Sequence, residues 1–187
     1  MFLQWLMPAP LLPPSNITRR QASLWLTLGG LGSGVQAQTA SEAALEARAP
    51  ALPAIGSVLQ VPDIALLDGT AFRAPTQQPL LVYWWASTCP FCALQSPSMQ
   101  ALWQAQRQRG LNMVALSIDK TPDEARAYLH KRGYTFPAAW ASPEWRRQFP
   151  KPKGLPITLL LDGQRKVVLA EKGQMFAEDV EAIGQMF

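Results

Sequence analysis

The chain predicts an α/β domain built on a central mixed β-sheet with helices on both faces. Three observations carry that class. Leu80 to Ala86 is almost continuously apolar, as in a strand covered on both sides. Helix and strand patterns then alternate through Pro90–Gly110, Asn112–Ile118 and Pro122–Gly133. A hairpin pattern and a closing helix finish the chain, so a parallel crossover region adjoins an antiparallel pair.

The first 37 residues have the layout of an export signal. Arg19-Arg20 precede the uncharged stretch Gln21 to Gln36, and Val35-Gln36-Ala37 offers small residues for cleavage after Ala37. The arginine pair after Thr18 fits a twin-arginine signal, whereas Gln21-Ala22 depart from that pattern and leave the general secretory route open. Met1 to Pro14 is apolar and proline-rich, which is consistent with a long leading region or with a start codon further on. An uncleaved leader would act as a membrane anchor, but the stretch between Arg20 and Gln36 is short and glycine-rich for a span. An exported, soluble, periplasmic-type location is the expectation. Residues 38–53 end in Ala49-Pro50-Ala51-Leu52-Pro53 and read as a linker with one helical turn between Ser41 and Arg48. Residues 54–187 form the folded domain, and no internal repeat is visible.

Within that domain, Val58 to Leu67 followed by Asp68-Gly69-Thr70 predicts a strand entering a tight turn, with Ala71-Phe72-Arg73 returning. Leu80 to Ala86 is the central strand. Pro90 to Gly110 is a long helix stopped by Gly110, with Leu94, Met99, Leu102 and Trp103 among its apolar positions; these continue beyond Pro97, so the proline kinks the helix without ending it. Asn112 to Ile118 is the next strand. Pro122, with Asp123 and Glu124 beside it, opens a helix that runs to Gly133. Ile157–Leu161, the Asp162-Gly163 turn and Lys166–Ala170 make a hairpin, and Ala177–Met186 is the last helix.

Both cysteines lie in Cys89-Pro90-Phe91-Cys92, between the central strand and the long helix. Residues i and i+3 of a first helical turn share a face, so the two sulfurs can close a small disulfide ring and reopen it without moving the fold. That layout points to thiol-disulfide exchange. A structural zinc needs four ligands, and two Cys with the single His130 do not supply them. A merely structural disulfide is also disfavoured, since closing so short a loop removes little entropy from the unfolded chain.

Composition excludes other classes. The 187 residues are 48% hydrophobic and 16% charged, which supports a packed core and argues against disorder. The formal net charge of +4 is spread in runs of at most two basic residues, without interleaved aromatics, so no nucleic-acid surface is indicated. Cleavage after Ala37 leaves 15 basic and 13 acidic residues and a net charge of +2. Gly29-Gly30-Leu31-Gly32 lies in the leader and follows no predicted strand, so it gives no dinucleotide site. No cofactor is expected beyond the cysteine pair.

The block Tyr83-Trp84-Trp85-Ala86-Ser87-Thr88-Cys89-Pro90-Phe91-Cys92, Pro97 in the following helix, and Gly154-Leu155-Pro156-Ile157-Thr158 before the hairpin resemble the thioredoxin superfamily, specifically its exported TlpA/ResA-type thiol-disulfide oxidoreductases. The likeness covers Ala54 to the C-terminus, and Met113–Phe149 is similar to the insertion that separates this group from plain thioredoxin. It implies a thioredoxin-like fold, Cys89 as exposed nucleophile and Cys92 as buried resolving thiol. The helix N-terminus would favour the Cys89 thiolate. It further implies a cis Leu155–Pro156 bond against the active site, holding a backbone edge for an incoming peptide. Trp85, Pro90, Phe91, Leu155 and Pro156 are the expected substrate-binding residues.

Three positions depart from the pattern. Tyr83 stands where thioredoxin has a buried acid, and Gln95 where many TlpA-like reductases have a glutamate; neither is an effective base at neutral pH. Thr88 replaces the common tryptophan before the first cysteine, which changes the rim offered to partners.

The resemblance thus implies a dithiol reductase of disulfides in exported proteins, such as apocytochrome c or copper-site cysteines, recharged by a membrane electron donor. The alternatives are a dithiol oxidase donating disulfides and a copper chaperone using both thiolates with His130. A peroxidase fits less well, because the peroxiredoxin pattern wants Thr and Pro where Ala86 and Val82 stand.

Overall fold

The computed structural model describes residues 43–186. The expected export signal, 1–37, lies outside the described residues, as do the first residues of the linker. Among the described residues no helix is long and apolar enough to cross a membrane.

After a helical turn at 43–47 come β1 (Ile64–Ala65), β2 (Ala71–Phe72), β3 (Leu80–Trp85), α1 (Pro90–Gln106), β4 (Asn112–Ser117), α2 (Pro122–Arg132), β5 (Ala138–Trp140), α3 (Trp145–Gln148), β6 (Ile157–Leu161), β7 (Val167–Lys172) and α4 (Ala177–Ala182). Five strands form one mixed sheet in the order β5-β4-β3-β6-β7, with β3, β4 and β5 parallel and β6 and β7 antiparallel to their neighbours. β1 and β2 make a separate hairpin.

The period of two along β3 divides the core. Leu81, Tyr83 and Trp85 face one side with Cys92, Met99 and Leu102 of α1, Ala125 of α2 and Val180 of α4. Leu80, Val82 and Trp84 face the other, with Val61, Ile64, Phe149 and the half-buried Trp145. All six β3 residues are buried, which is why this strand lacks the polar alternation of a one-sided sheet.

α1 and α2 both pack on the face of Leu81, Tyr83 and Trp85, so the successive parallel crossovers β3 to β4 and β4 to β5 lie on one side of the sheet, as crossovers of one hand running in one direction must. The chain then returns across the sheet to β6 over the opposite face, where Trp84 stacks on Phe149 at a centroid separation of 5.9 Å. Helices therefore flank the sheet on both sides, unequally.

The helix boundaries follow their caps. Thr121 accepts from the Glu124 backbone N–H, Asp123 and Glu124 fill the first turn of α2, and Gly133 closes it at φ 67°. Pro97 sits inside α1, which continues to Gln106. One further turn, Arg107–Arg109, leads to Gly110 at φ 102°. Sequence patterns overlooked β5 and α3, both of them short pieces of the stretch Met113–Phe149, and the expected strand through Val58–Leu67 shrinks to single bridges at Val58 and Leu66 and the two residues of β1.

Candidate active site

The carboxyl end of β3 delivers Cys89 to the start of α1. Cys89 is the N-cap, with extended φ −84° and ψ 114°, and its Sγ accepts from the Cys92 backbone N–H at 3.1 Å. Pro90 follows at the first helical position, where a missing N–H removes no helical bond. Cys89 and Cys92 form a disulfide with Cα atoms 5.2 Å apart. Cys89 is half-buried and Cys92 wholly buried, so only the first sulfur borders solvent. Pro90 and Phe91 are exposed beside it, as is Leu94 one turn on.

No residue of the 17-residue α1 is charged. The groups set beneath Cys92 are neutral and already paired. Ser96 Oγ donates to the Cys92 carbonyl at 2.7 Å, and the Tyr83 hydroxyl lies 3.3 Å from the same carbonyl and 3.2 Å from Ser96 Oγ. Burial pushes the Tyr83 phenol well above its usual range, only partly offset by the Ser96 hydrogen bond, so it stays a neutral hydroxyl. Gln95 is also buried: its Nε2 donates to Thr158 Oγ1 at 2.9 Å and its Oε1 accepts from the Met175 N–H at 2.8 Å. It thus ties α1 to β6 and to the segment leading into α4.

The Leu155–Pro156 peptide bond is cis. Ile157 pairs with Trp84, and continuing that antiparallel register by one residue brings Pro156 opposite Trp85, where the cysteine loop begins. Leu155 is half-buried against the core cluster that contains Cys92, with Cys89 also packed on it. The structure therefore gathers Cys89, Cys92, Pro90, Phe91, Leu155 and Pro156 at one end of the sheet. Trp85 differs from its expected role, because it has no exposed surface and packs on Tyr128 with centroids 5.4 Å apart. It can influence a partner only through the loop it anchors. His130 is exposed near the end of α2, and no cluster of three or more His, Cys, Asp and Glu able to hold a metal ion exists among the described residues.

Sequence reasoning missed Asp119. Its Oδ1 accepts from Ser87 N and Ser87 Oγ at 2.9 and 2.8 Å, and its Oδ2 accepts from Ser117 Oγ at 2.7 Å. The Trp140 indole donates to the Asp119 carbonyl at 2.7 Å. This carboxylate pins the loop two residues before Cys89. The signal was available: Ser117-Ile118-Asp119 runs off the carboxyl end of a central parallel strand, the end where open α/β sheets place their sites.

The AhpC/TSA family matches residues 60–173, well over half of the chain. The chain belongs to this family of thioredoxin-like proteins. It is 27% identical over 141 residues to the thiol:disulfide interchange protein HelX of Rhodobacter capsulatus, covering 72% of this chain and 70% of HelX. Among solved structures, a thioredoxin-family thiol:disulfide interchange protein from Chlorobium tepidum matches with a TM-score of 0.64 at 21% identity, covering 72% of this chain and 97% of that one. StoA from Bacillus subtilis matches with a TM-score of 0.57 at 19% identity, over 70% and 98% of the two chains. The thioredoxin-like fold expected from the cysteine block is thus shared with both, and the chain is a thiol-disulfide oxidoreductase.

Proposed function

We propose that the protein is an exported dithiol reductase that acts on disulfides of other exported proteins. The observation that carries this direction is the uncharged helix behind Cys89. A strong dithiol oxidant owes its potential to a stabilised reduced form. Here a Cys89 thiolate is favoured by the helix terminus and one N–H, from Cys92 at 3.1 Å, with no charged side chain on α1 to add to them. The reduced pair is then a good electron donor.

In the cycle, the Cys89 thiolate attacks one sulfur of the partner's disulfide and expels the other as a thiolate, which takes up a proton. Cys92 loses its proton and attacks the Cys89 sulfur, releasing the second partner thiol and leaving Cys89–Cys92 oxidised. Two electrons pass to the partner. Pro90, Phe91, Leu155 and Pro156 border the incoming chain, and a two-electron donor in the membrane restores the dithiol. Cysteines awaiting haem or copper in exported proteins are substrates of fitting chemistry.

The test is the reduction potential of the pair, from equilibration in defined thiol buffers with trapping of free thiols. A value at or below about −230 mV supports the reductase, and one near about −120 mV turns the assignment to disulfide donation.

A further inference from the structure

The segment before the domain is not simply a tether. Glu46, in the helical turn at 43–47, reaches the loop that leads into Leu155–Pro156. Its Oε1 accepts from the Gly154 N–H at 2.7 Å and its Oε2 meets Lys151 Nζ at 2.8 Å. Lys151 is 7% exposed, and its ammonium donates to the carbonyls of Pro152 at 2.8 Å and Gly154 at 3.0 Å. Both backbone groups of Gly154 therefore end on this one ion pair. Close by, Lys153 N donates to the Pro50 carbonyl at 3.0 Å.

We propose that Glu46 and Lys151 are positioning residues that together hold the Gly154–Pro156 edge in place for a partner's disulfide-bearing peptide. The inference rests on the reading of that edge given under Proposed function. Three features favour it over incidental surface pairing. The lysine is buried, and a buried charge is tolerated where its acceptors are all supplied, as they are here. Gly154 takes a left-handed φ of 96°, and a Cβ there would lie 3.3 Å from the Lys172 side chain, so its backbone is held from one side by conformation and from the other by the pair. The seam between residues 45–50 and 143–151 leaves a partly open pocket of about 200 Å³, so apolar packing there is incomplete and the polar contacts carry more of the joint.

Reduced protein of full length, mixed in single turnover with increasing amounts of a synthetic peptide containing one disulfide, tests the proposal against parallel runs with a small aromatic disulfide. Glu46→Gln and Lys151→Met are expected to raise the half-saturating peptide concentration about tenfold, the change that loss of one charge-assisted hydrogen bond converts to. The limiting rate, the rate with the small disulfide and the reduction potential stay as in the wild type. Glu46→Gln preserves shape at a partly exposed position, so it decides the matter even where Lys151→Met does not fold. Unchanged half-saturation in Glu46→Gln overturns the proposal, and so does an equal fall with both oxidants, which is the mark of general damage. A wild type that treats both disulfides alike instead removes the edge as a peptide site, and the pair's role goes with it.

Discussion

Replacing Asp119 separates a residue that shapes the cysteine loop from one that merely fills space. The carboxylate accepts three hydrogen bonds, two from Ser87 and one from Ser117. Bonds to a charged acceptor contribute about 1.5–3 kcal/mol each, so their gross sum is roughly 4–9 kcal/mol. Not all of that is lost in Asp119→Ala. Ser87 is half-buried and its two donors can turn to water, whereas Ser117 is fully buried but keeps the Asp119 N–H at 3.0 Å on its hydroxyl oxygen. A net loss of about 3 kcal/mol is the expectation. For a domain of this size that lowers Tm by about 6–12 °C. Asp119→Asn keeps an oxygen for Ser87 and lets the Ser117 hydroxyl rotate to accept, so about 1 kcal/mol is expected. Urea unfolding of both variants, oxidised and reduced, measures the difference. Equal losses in the two variants, or less than about 1 kcal/mol in Asp119→Ala, would refute the account of the loop.

Two further outcomes follow from the site. Cys92→Ser should accumulate a mixed disulfide with a partner peptide, visible on a non-reducing gel, while Cys89→Ser should form none; adducts through Cys92 alone would invert the assigned roles. Burial raises the Glu46 pKa, but hydrogen bonds from Lys151 and Gly154 and the charges of Lys151 and Lys153 together hold it below the usual carboxylate range. A depressed folded pKa gives stability that is complete above the unfolded pKa and disappears as pH falls through the folded one. The stability gap between wild type and Glu46→Gln should therefore be constant at neutral pH and close only in acid, as read by denaturant midpoints; a gap that widens in acid reverses the sign.

The sequence made most of this legible where one local pattern sufficed. The unbroken apolar run of β3, the cysteine spacing and the Pro90, Gly110 and Gly133 punctuation needed nothing beyond neighbouring residues. Elements of three or four residues such as β5 and α3 contain little more than one period of a strand or helix pattern, too short to stand out, so tertiary contacts define them. Asp119 and Ser87 are 32 positions apart, and Glu46 and Gly154 are 108 apart. Such pairs carry no local signal. Lys151 looks like one more surface lysine in Pro150-Lys151-Pro152-Lys153, and only the fold makes it buried. The tryptophan beside the cysteines was found by position, but its complete burial depends on Tyr128 arriving from α2.

Tyr83 and Gln95 change how protons move at this site. In their places an acid would relay a proton from the resolving thiol, whereas here both side chains are neutral and committed, the tyrosine to Ser96 and the Cys92 carbonyl, the glutamine to Thr158 and Met175. Asp119, the carboxylate at the neighbouring strand end, has both oxygens on serines. With these groups committed, the thiolate that the reaction itself makes can serve as the base. The first step expels a partner thiolate beside Cys89, at the moment when Cys92 must lose its proton to attack, and thiols of ordinary pKa near about 8.5 exchange protons with little bias. A neutral buried framework is compatible with such an exchange because it stabilises no charged intermediate elsewhere. On the proposed reductase reading, a helix without charged side chains adds nothing to stabilise the Cys89 thiolate and so keeps the dithiol a willing electron donor.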